Sequence, residues 1–128
     1  MNTVLVTGAS SGIGMACVKK FAKKGYTILA LGRDKKKLEM IQKDALSLGA
    51  KDCKVFSINF QNLDEINILF EKLIDIEQID ALVNCVGIAY TSDIDSITLK
   101  EWDEVMRVNV TAPFILIQRA LPWLLNSD

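Results

Sequence analysis

The sequence contains no histidine, and this absence removes two large classes of site at once. Histidine is the commonest metal ligand and the usual general base near neutral pH, so neither role is open to it here. Only three cysteines are present, Cys17, Cys53 and Cys85, and no two of them form a Cys-x-x-Cys pair. Their spacing argues against a zinc site and indicates small side chains in a reducing, cytoplasmic environment.

The chain also lacks an excess of either charge, since it has 15 basic and 16 acidic side chains. Without a basic excess or a polybasic block, we expect binding neither to nucleic acid nor to an anionic membrane. The first residues show no secretory signal, and polar residues and prolines interrupt the most apolar tract, 108–125. We therefore expect one globular domain over residues 1–128 and no membrane span.

Strand-like and helix-like runs alternate from the first residue onward. Apolar runs predict strands at 3–6, 26–31, 54–58 and 80–83. Apolar periodicity and end signals predict helices at 12–24, 34–48, from 62 to about 73, near 98–106, and at 110–126. Asp34 and Asn62 are candidate N-caps, and Thr98 with Glu101 has capping-box spacing. In the first helix, the inward stripe is predicted as Ile13, Ala16, Cys17 and Phe21.

This alternation predicts an α/β fold with a parallel sheet that helices cover on both faces. Right-handed crossovers place the four strands in the order 3-2-1-4, with the last helices packed after the fourth strand. That order is the first half of a doubly wound, Rossmann-type sheet.

The segment after the first strand reads Thr7-Gly8-Ala9-Ser10-Ser11-Gly12-Ile13-Gly14. Gly8 permits a sharp turn, Gly12 allows the backbone to approach a diphosphate, and Gly14 allows close packing of helix on strand. The diphosphate would then lie on free N–H groups at the positive end of a helix. Because the loop follows a predicted strand and opens a predicted helix, it indicates dinucleotide binding rather than a simple turn.

This loop closely resembles the glycine motif of the short-chain dehydrogenase/reductase family. Two later segments also resemble the family: Asn84-Cys85-Val86-Gly87 is similar to its Asn-Asn-Ala-Gly turn, and 102–110 to the segment that ends near a catalytic asparagine. The resemblance covers the whole chain. It implies that Asn84 and Gly87 shape the turn beside the cofactor ribose and that Asn109 holds a water of the proton relay. The alternative for Asn109 is a side chain that binds backbone at a helix irregularity.

The resemblance also places the residue after the second strand beside the adenosine ribose. A carboxylate there suits the free 2′-hydroxyl of NAD(H), whereas an arginine attracts the 2′-phosphate of NADP(H). Gly32 stands where NAD-preferring relatives tend to carry aspartate, and Arg33 resembles the arginine of NADP-preferring ones. Ser10 and Ser11 could add hydroxyl donors, so we expect NADP(H) rather than NAD(H). Asp34 is the competing observation, although a helix-capping role would explain it without a cofactor.

After the third strand, the family usually has an aspartate and an aliphatic residue that hold the adenine. Here the pair is Asn59-Phe60. The side-chain oxygen of Asn59 can still accept a hydrogen bond from the adenine amino group, but it lacks the charge. Phe60 is either an adenine contact or a core residue only.

By resemblance, the reaction is hydride transfer between a nicotinamide and a carbonyl or alcohol. A tyrosine is the general acid/base, a lysine four residues later lowers its pKa, and a serine orients the substrate oxygen. The only tyrosines are Tyr26 and Tyr90; neither begins a Tyr-x-x-x-Lys, and the family's serine has no counterpart. We therefore expect a truncated, inactive, cofactor-binding half of such an enzyme. The alternative is a non-catalytic NADP(H)-binding or interaction module, and the reading frame beyond the last residue would discriminate the two.

The last predicted helix, 110–126, is apolar on more than one side. One side suits the sheet, and the resemblance implies that the other packs in a subunit interface, so we expect a homo-oligomer. The alternative is burial under the remaining half of a longer protein. A methyltransferase with a similar glycine loop would want an acidic residue where Gly32-Arg33 stands. The sequence does not identify the substrate.

Overall fold

The computed structural model of the chain describes residues 2–127. Its elements are β1 (Thr3–Thr7), α1 (Gly12–Ala22), β2 (Thr27–Gly32), α2 (Lys35–Ser47), β3 (Asp52–Ser57), α3 (Leu63–Lys72), β4 (Ala81–Asn84), α4 (Leu99–Met106) and α5 (Ala112–Leu125). All the predicted strands and helices are present, and the strand ends lie within two residues of the predicted ones.

The four strands form one parallel sheet in the order β3-β2-β1-β4. Strand β1 is central: Val4 pairs with Ile28 of β2 on one side and with Ala81 of β4 on the other. The predicted order 3-2-1-4 and the Rossmann-type fold class are therefore confirmed. The direction of chain progression across the sheet reverses between β1 and β4, which is where such sheets bind their ligands.

Alternate side chains of the strands build two separate cores on the two faces of the sheet. Leu5, Leu29 and Leu31 pack with helices α3 and α5. Val4, Val6 and Ile28 point to the other face, where they pack with α1 and α2. The sheet is thus covered on both faces, as the alternation of strands and helices predicts.

The inward face of α1 differs from the predicted stripe. Ile13 is 76% exposed and Ala16 is also exposed, so the prediction was wrong for these two residues. The buried residues are instead Gly14, Val18 and Ala22. The cause is a backbone contact, because a Cβ on Gly14 would lie only 1.9 Å from the carbonyl oxygen of Gly8. This contact turns the helix, and Cys17 and Phe21 are left only partly buried.

The predicted helix ends are mostly correct. The Asp34 carboxylate accepts a hydrogen bond from the N–H of Lys37 at 3.1 Å and so caps α2. Thr98 and Glu101 form the complete capping box of α4. Asn62 occupies the N-cap position of α3, but its side chain makes no capping bond.

Helices α4 and α5 form one continuous helix, whereas the sequence predicted two. The π-helical turn Arg107–Thr111 joins them. Such a turn accommodates an extra residue inside a helix and often lies at a functional position. Asn109 lies within it.

By length and composition alone, this continuous helix, Leu99–Leu125, could cross a membrane; within residues 2–127 it is the one helix that could. One row of its side chains nevertheless belongs to the core on the sheet. The row is buried and consists of Val108, Ala112, Leu116 and Ala120. On that side the helix acts as a core helix of the α/β unit.

Candidate cofactor site

A cleft of about 260 Å³ lies at the carboxyl ends of the strands. The loops after β1, β2, β3 and β4 all contribute to it. Its lining consists of Gly8, Ser10, Ser11, Gly32, Arg33, Asp34, Lys37, Asn59, Phe60, Gln61, Cys85, Val86, Gly87, Ile88 and Val108.

Helix α1 begins at the rim of this cleft without a side-chain cap. Ser11 is its N-cap residue, but the hydroxyl makes no capping bond, and the first turn carries no acid. The first hydrogen bond that reaches back to the cap runs from the N–H of Met15 to the carbonyl of Ser11, at 3.3 Å. The N–H groups of residues 12–14 have no acceptor in the described part of the chain. These groups, at the positive end of the helix, are the donors that a phosphate binds.

The glycines of the loop keep the N-terminal end of α1 free of side chains. Gly12 has a φ of +57°, and a Cβ built on it would meet no protein atom within 4 Å. Gly14 has the opposite environment, because its missing side chain allows the contact with Gly8 described above. The predicted close packing at Gly14 is therefore present. The backbone at Gly12 is accessible to an anion, so the loop fits a dinucleotide diphosphate.

The turn after β4 is fastened to this loop by Thr7. Its buried hydroxyl oxygen accepts hydrogen bonds from the N–H of Cys85 at 3.0 Å and of Val86 at 3.3 Å. A Cβ on Gly8 would lie 3.0 Å from the carbonyl carbon of Cys85, so the two backbones approach closely. Burial raises the pKa of the Cys85 thiol, and the neighbouring Cys17 adds to the effect, so this side chain is a neutral wall of the cleft.

Asn109 uses both ends of its amide to hold the loop after β4. Its Oδ1 accepts from the N–H of Ile88 at 2.8 Å, and its Nδ2 donates to the carbonyl of Ile88 at 2.7 Å. The interpretation of Asn109 as a residue that binds backbone at a helix irregularity is confirmed. Its catalytic role stays a prediction, and the residue lies beside the cleft rather than in its lining.

Three charged residues, Arg33, Asp34 and Lys37, line the cleft close to the end of β2. The Arg33 side chain is exposed and has no hydrogen bond or ion pair with any residue in 2–127. Its carbonyl accepts from the Ser57 hydroxyl at 2.9 Å, which fixes the backbone. The Asp34 carboxylate is engaged in capping α2, as the second interpretation of this residue expected. Lys37 completes the group.

The predicted adenine-binding pair has its own contacts within the chain. Asn59 Oδ1 accepts from the N–H of Gln61 at 3.1 Å, which forms a local turn. A carbonyl oxygen has two lone pairs, so a second donor could still bind there. Phe60 is 3% exposed and belongs to the core, while it also borders the cleft. Both roles of this pair in adenine binding stay predictions.

The two tyrosines, Tyr26 and Tyr90, both make contacts with other side chains of the chain. The Tyr26 ring packs on Phe21 at a centroid distance of 4.9 Å. The Tyr90 hydroxyl donates a hydrogen bond to the Glu104 carboxylate, and this bond raises the Tyr90 pKa. A general base near neutral pH needs a lowered tyrosine pKa, so the environment of Tyr90 acts in the wrong direction.

The structure brings most of the predicted site residues to one place. Those in the lining of the cleft are Gly8, Ser10, Ser11, Arg33, Asn59, Phe60 and Gly87. Gly12, Ile13 and Gly14 form the first turn of α1 at the rim, and Asn84 lies outside the lining. The sequence did not point to Gln61 and Val108 as lining residues, and it indicated Lys37 only as one of three lysines, 35–37, that raise the positive potential beside Arg33. The sequence does not separate Lys37 from Lys35 and Lys36, because all three lie in the first turn of α2.

A family model described as short chain dehydrogenase matches residues 2–128. An uncharacterized oxidoreductase of Staphylococcus epidermidis is 33% identical over 125 residues, which are 97% of this chain and 53% of that protein. A 3-oxoacyl-[acyl-carrier-protein] reductase of Thermotoga maritima is 33% identical over 124 residues, which are 96% of this chain and 50% of the relative. The chain thus spans about half the length of the curated relatives it matches.

A solved structure of similar fold is a metagenomic short-chain oxidoreductase in complex with NADP. It superposes with a TM-score of 0.90 at 26% identity, over 96% of this chain and 56% of that one. Together with the glycine loop and the strand order, these matches establish that the chain belongs to the short chain dehydrogenase family.

Proposed function

We propose that this chain binds NADP(H) in the cleft and is the cofactor-binding part of an oxidoreductase that interconverts a carbonyl and an alcohol. The observation that carries the proposal is the uncapped start of α1, whose free N–H groups lie at the carboxyl end of the central strand. The NADP complex of the metagenomic relative supports the same cofactor here.

Each part of the cleft has a separate task in this proposal. The first turn of α1 binds the diphosphate through backbone N–H groups and the positive end of the helix dipole. The Arg33 guanidinium and the Ser10 hydroxyl bind the 2′-phosphate. The Asp34 carboxylate remains on the N–H of Lys37 and does not take the ribose hydroxyl. In a complete enzyme, the bound nicotinamide would donate a hydride to the carbonyl or accept one from the alcohol.

A parallel titration with NADPH and NADH tests the cofactor assignment. Arg33→Ala removes a charge-assisted contact of about 1.5–3 kcal/mol, so NADPH should bind about 10- to 150-fold more weakly. The affinity for NADH should change little. Arg107→Ala, at an exposed arginine outside the cleft lining, is the matched control and should change neither. If wild-type protein binds neither dinucleotide, the proposed function is wrong.

The 128 residues contain no Tyr-x-x-x-Lys, so we propose that this chain alone does not catalyse hydride transfer. Purified protein should show no NADPH oxidation above background with small ketones and aldehydes. Turnover in the wild type that Arg33→Ala weakens would contradict this proposal, since a contaminating enzyme would not respond to that substitution. A non-catalytic binding module makes the same prediction for this chain, and a longer product that contains the motif would separate the two.

The solvent side of the long helix supports a further proposal, a homo-oligomer. Exposed large apolar residues recur there at helical spacing: Leu99, Trp102, Met106, Val110, Phe114, Ile117, Leu121 and Leu125. Soluble monomers rarely expose an apolar patch of this extent. We propose that a second copy of the chain covers this exposed row. We also propose a cytoplasmic location and, for the longer protein, a small carbonyl or alcohol as substrate.

Sedimentation equilibrium at micromolar concentration tests the oligomer. Wild-type protein should sediment as a dimer or larger, and Phe114→Glu with Ile117→Glu should give a monomer. Ile68→Glu, at an equally exposed position on α3, is the control and should leave the mass unchanged. A clean wild-type monomer contradicts the proposal, and recovery of the protein with phospholipid vesicles would favour a membrane surface instead.

A further inference from the structure

The first turn of α2 has an unusual charge pattern. Lys35, Lys36 and Lys37 occupy it, and it contains no acid. A helix N-terminus is the positive end of the helix dipole, where cations are disfavoured. Where other helices carry charges at their ends, these follow the usual rule: α3 and α4 have acids in their first turns, and α1 and α3 have lysines in their last turns. The pattern in α2 is therefore not explained by helix stability.

The structure distinguishes these three lysines by position. Lys37 lines the cofactor cleft together with Arg33 and Asp34. Lys35 faces a different groove, beside Val55 at the outer edge of the sheet. Lys36 lies in neither lining. Of the three lysines in this turn, only Lys37 therefore lines the cofactor cleft.

The position of Lys37 is fixed by its neighbours. Its N–H donates to the Asp34 carboxylate at 3.1 Å, and the next residue, Leu38, is 1% exposed. The backbone of Gly32 lies between the glycine loop and α2. A Cβ at this position would lie only 2.9 Å from Ser10 Oγ, so there is no room for a side chain. The wall between Ser10 and α2 is therefore backbone at Gly32, and Arg33 and Lys37 line the cleft together with it.

Among the residues that line this end of the cleft, Lys37 supplies a second cation. Arg33 and Asp34 together carry no net charge, so Arg33 alone gives little long-range attraction for an anion. Lys37 makes the local balance positive. A phosphate monoester carries between one and two negative charges near neutral pH, and it can be bound both by a guanidinium fork and by an ammonium point charge.

We infer that Lys37 is a specificity-determining residue, the second cation with Arg33 for the 2′-phosphate of NADP(H), whereas Lys35 and Lys36 are not. The inference rests on the proposed function. It deepens that proposal, because it assigns the preference for NADP(H) to two side chains from one loop and one helix rather than to Arg33 alone.

Titration calorimetry with two adenosine probes tests the inference. Adenosine 2′,5′-bisphosphate carries the 2′-phosphate and AMP lacks it, and neither depends on a nicotinamide site. Lys37→Gln should weaken the bisphosphate about 10-fold, as expected for one charge-assisted contact, and leave AMP unchanged. Lys35→Gln and Lys36→Gln are the matched controls and should weaken the bisphosphate by less than about 3-fold, through diffuse potential only. Lys37→Arg should retain the preference.

The outcomes separate the inference from the proposed function. If wild-type protein does not prefer the bisphosphate, the NADP(H) proposal is wrong. If wild type prefers it and Arg33→Ala abolishes the preference, but Lys37→Gln behaves like Lys36→Gln, the inference is overturned and the proposed function stands.

Thermal unfolding provides a second measurement, which distinguishes a binding role of Lys37 from a purely structural one. All three glutamine variants should be as stable as the wild type or slightly more stable without ligand, since each removes a cation from the positive end of α2. Only Lys37→Gln should lose most of the shift in Tm that the bisphosphate produces. A lower ligand-free Tm for Lys37→Gln, with both probes weakened equally, would overturn the inference.

Discussion

The two ends of the sheet differ in whether their polar groups are paired within the chain. At the amino end, the Asp80 carboxylate accepts hydrogen bonds from the Thr3 N–H at 2.6 Å, the Gln78 amide at 2.8 Å and the Ser127 hydroxyl at 2.7 Å. Nearby, the Trp123 indole N–H donates to the carbonyl of Ile76 at 2.6 Å. At the carboxyl end, the first turn of α1 leaves its N–H donors without partners within residues 2–127.

This difference separates stability from binding along the same four strands. The amino end ties β1, β4 and the end of α5 together through bonds within the chain. The carboxyl end forgoes a helix cap, which is generally worth about 1 kcal/mol, and keeps its donors for a ligand. Substitutions at the two ends should therefore have different signatures, and the following predictions test that separation from the largest effect to the smallest.

Gly14→Ala should have the largest effect, because its Cβ would overlap the Gly8 carbonyl oxygen at 1.9 Å. Overpacking of this kind should lower the free energy of unfolding by about 3 kcal/mol and abolish dinucleotide binding. Urea unfolding and an NADPH titration measure the two quantities.

Gly12→Ala is the control for that experiment, since a Cβ there meets no atom within 4 Å. The strain of its positive φ should cost only about 1–2 kcal/mol, while binding is still weakened. Equal stability losses for the two variants would contradict the assigned Gly8–Gly14 contact.

Asp80→Asn should affect stability alone. Hydrogen bonds to a charged acceptor are worth about 1.5–3 kcal/mol, and partial exposure of this carboxylate to water reduces the expected loss to about 1 kcal/mol at pH 7. The affinity for NADPH should not change, because Asp80 lies at the opposite end of the sheet. Asp75→Asn, at an exposed position after α3, is the control. A weakened NADPH affinity in Asp80→Asn would break the separation of the two ends.

The Asp80 carboxylate should also make the free energy of unfolding depend on pH. Burial acts to raise the Asp80 pKa, but the donors from Ser127, Thr3 and Gln78 outweigh it and lower the pKa. A group with a lowered folded pKa stabilises the protein above its unfolded pKa, about 3.9, and loses that contribution as the pH falls through the folded value. The stability difference between wild type and Asp80→Asn should be constant from pH 7 to 5 and shrink below about pH 4. A difference that persists unchanged at pH 3 would contradict this origin.

At the carboxyl end, Asp34→Ala tests whether the carboxylate contributes to stability alone or also to ligand binding. Loss of the cap on α2 should cost about 1 kcal/mol of stability, whereas Asp34→Ser should retain most of it. If the carboxylate serves only as a cap, both variants bind NADH as the wild type does. If both variants bind NADH more weakly, the carboxylate contacts the ribose and the assignment of Asp34 is wrong.

Features that depend on neighbouring residues were predictable from the sequence. The glycine loop is contiguous, so strand, turn and helix start could be assigned from eight successive residues, 7–14. The capping bonds of Asp34 and Thr98 span three residues, and they were also predicted correctly. The order of the strands followed because crossovers are right-handed.

Features that depend on contacts between distant segments were not predictable. The inward face of α1 is set by one contact between two backbones, which the apolar stripe of the helix does not reveal. Backbone binding by Asn109 was one of two interpretations of the sequence, but its partner, Ile88, lies 21 residues away and was not predicted. The access of Lys37 rather than Lys36 to the cleft depends on how α2 rotates on the sheet.

The sequence by itself determined the periodicity of strands and helices, the glycine positions and the charges that are available for a phosphate. These are local properties, because backbone freedom, apolar spacing and formal charge belong to each residue before the chain folds. Only the tertiary structure decided which N–H groups remain without partners and which cation lines the cleft. Those properties arise when β1, β2 and β4 align their carboxyl ends and bring loops together that lie far apart in the chain.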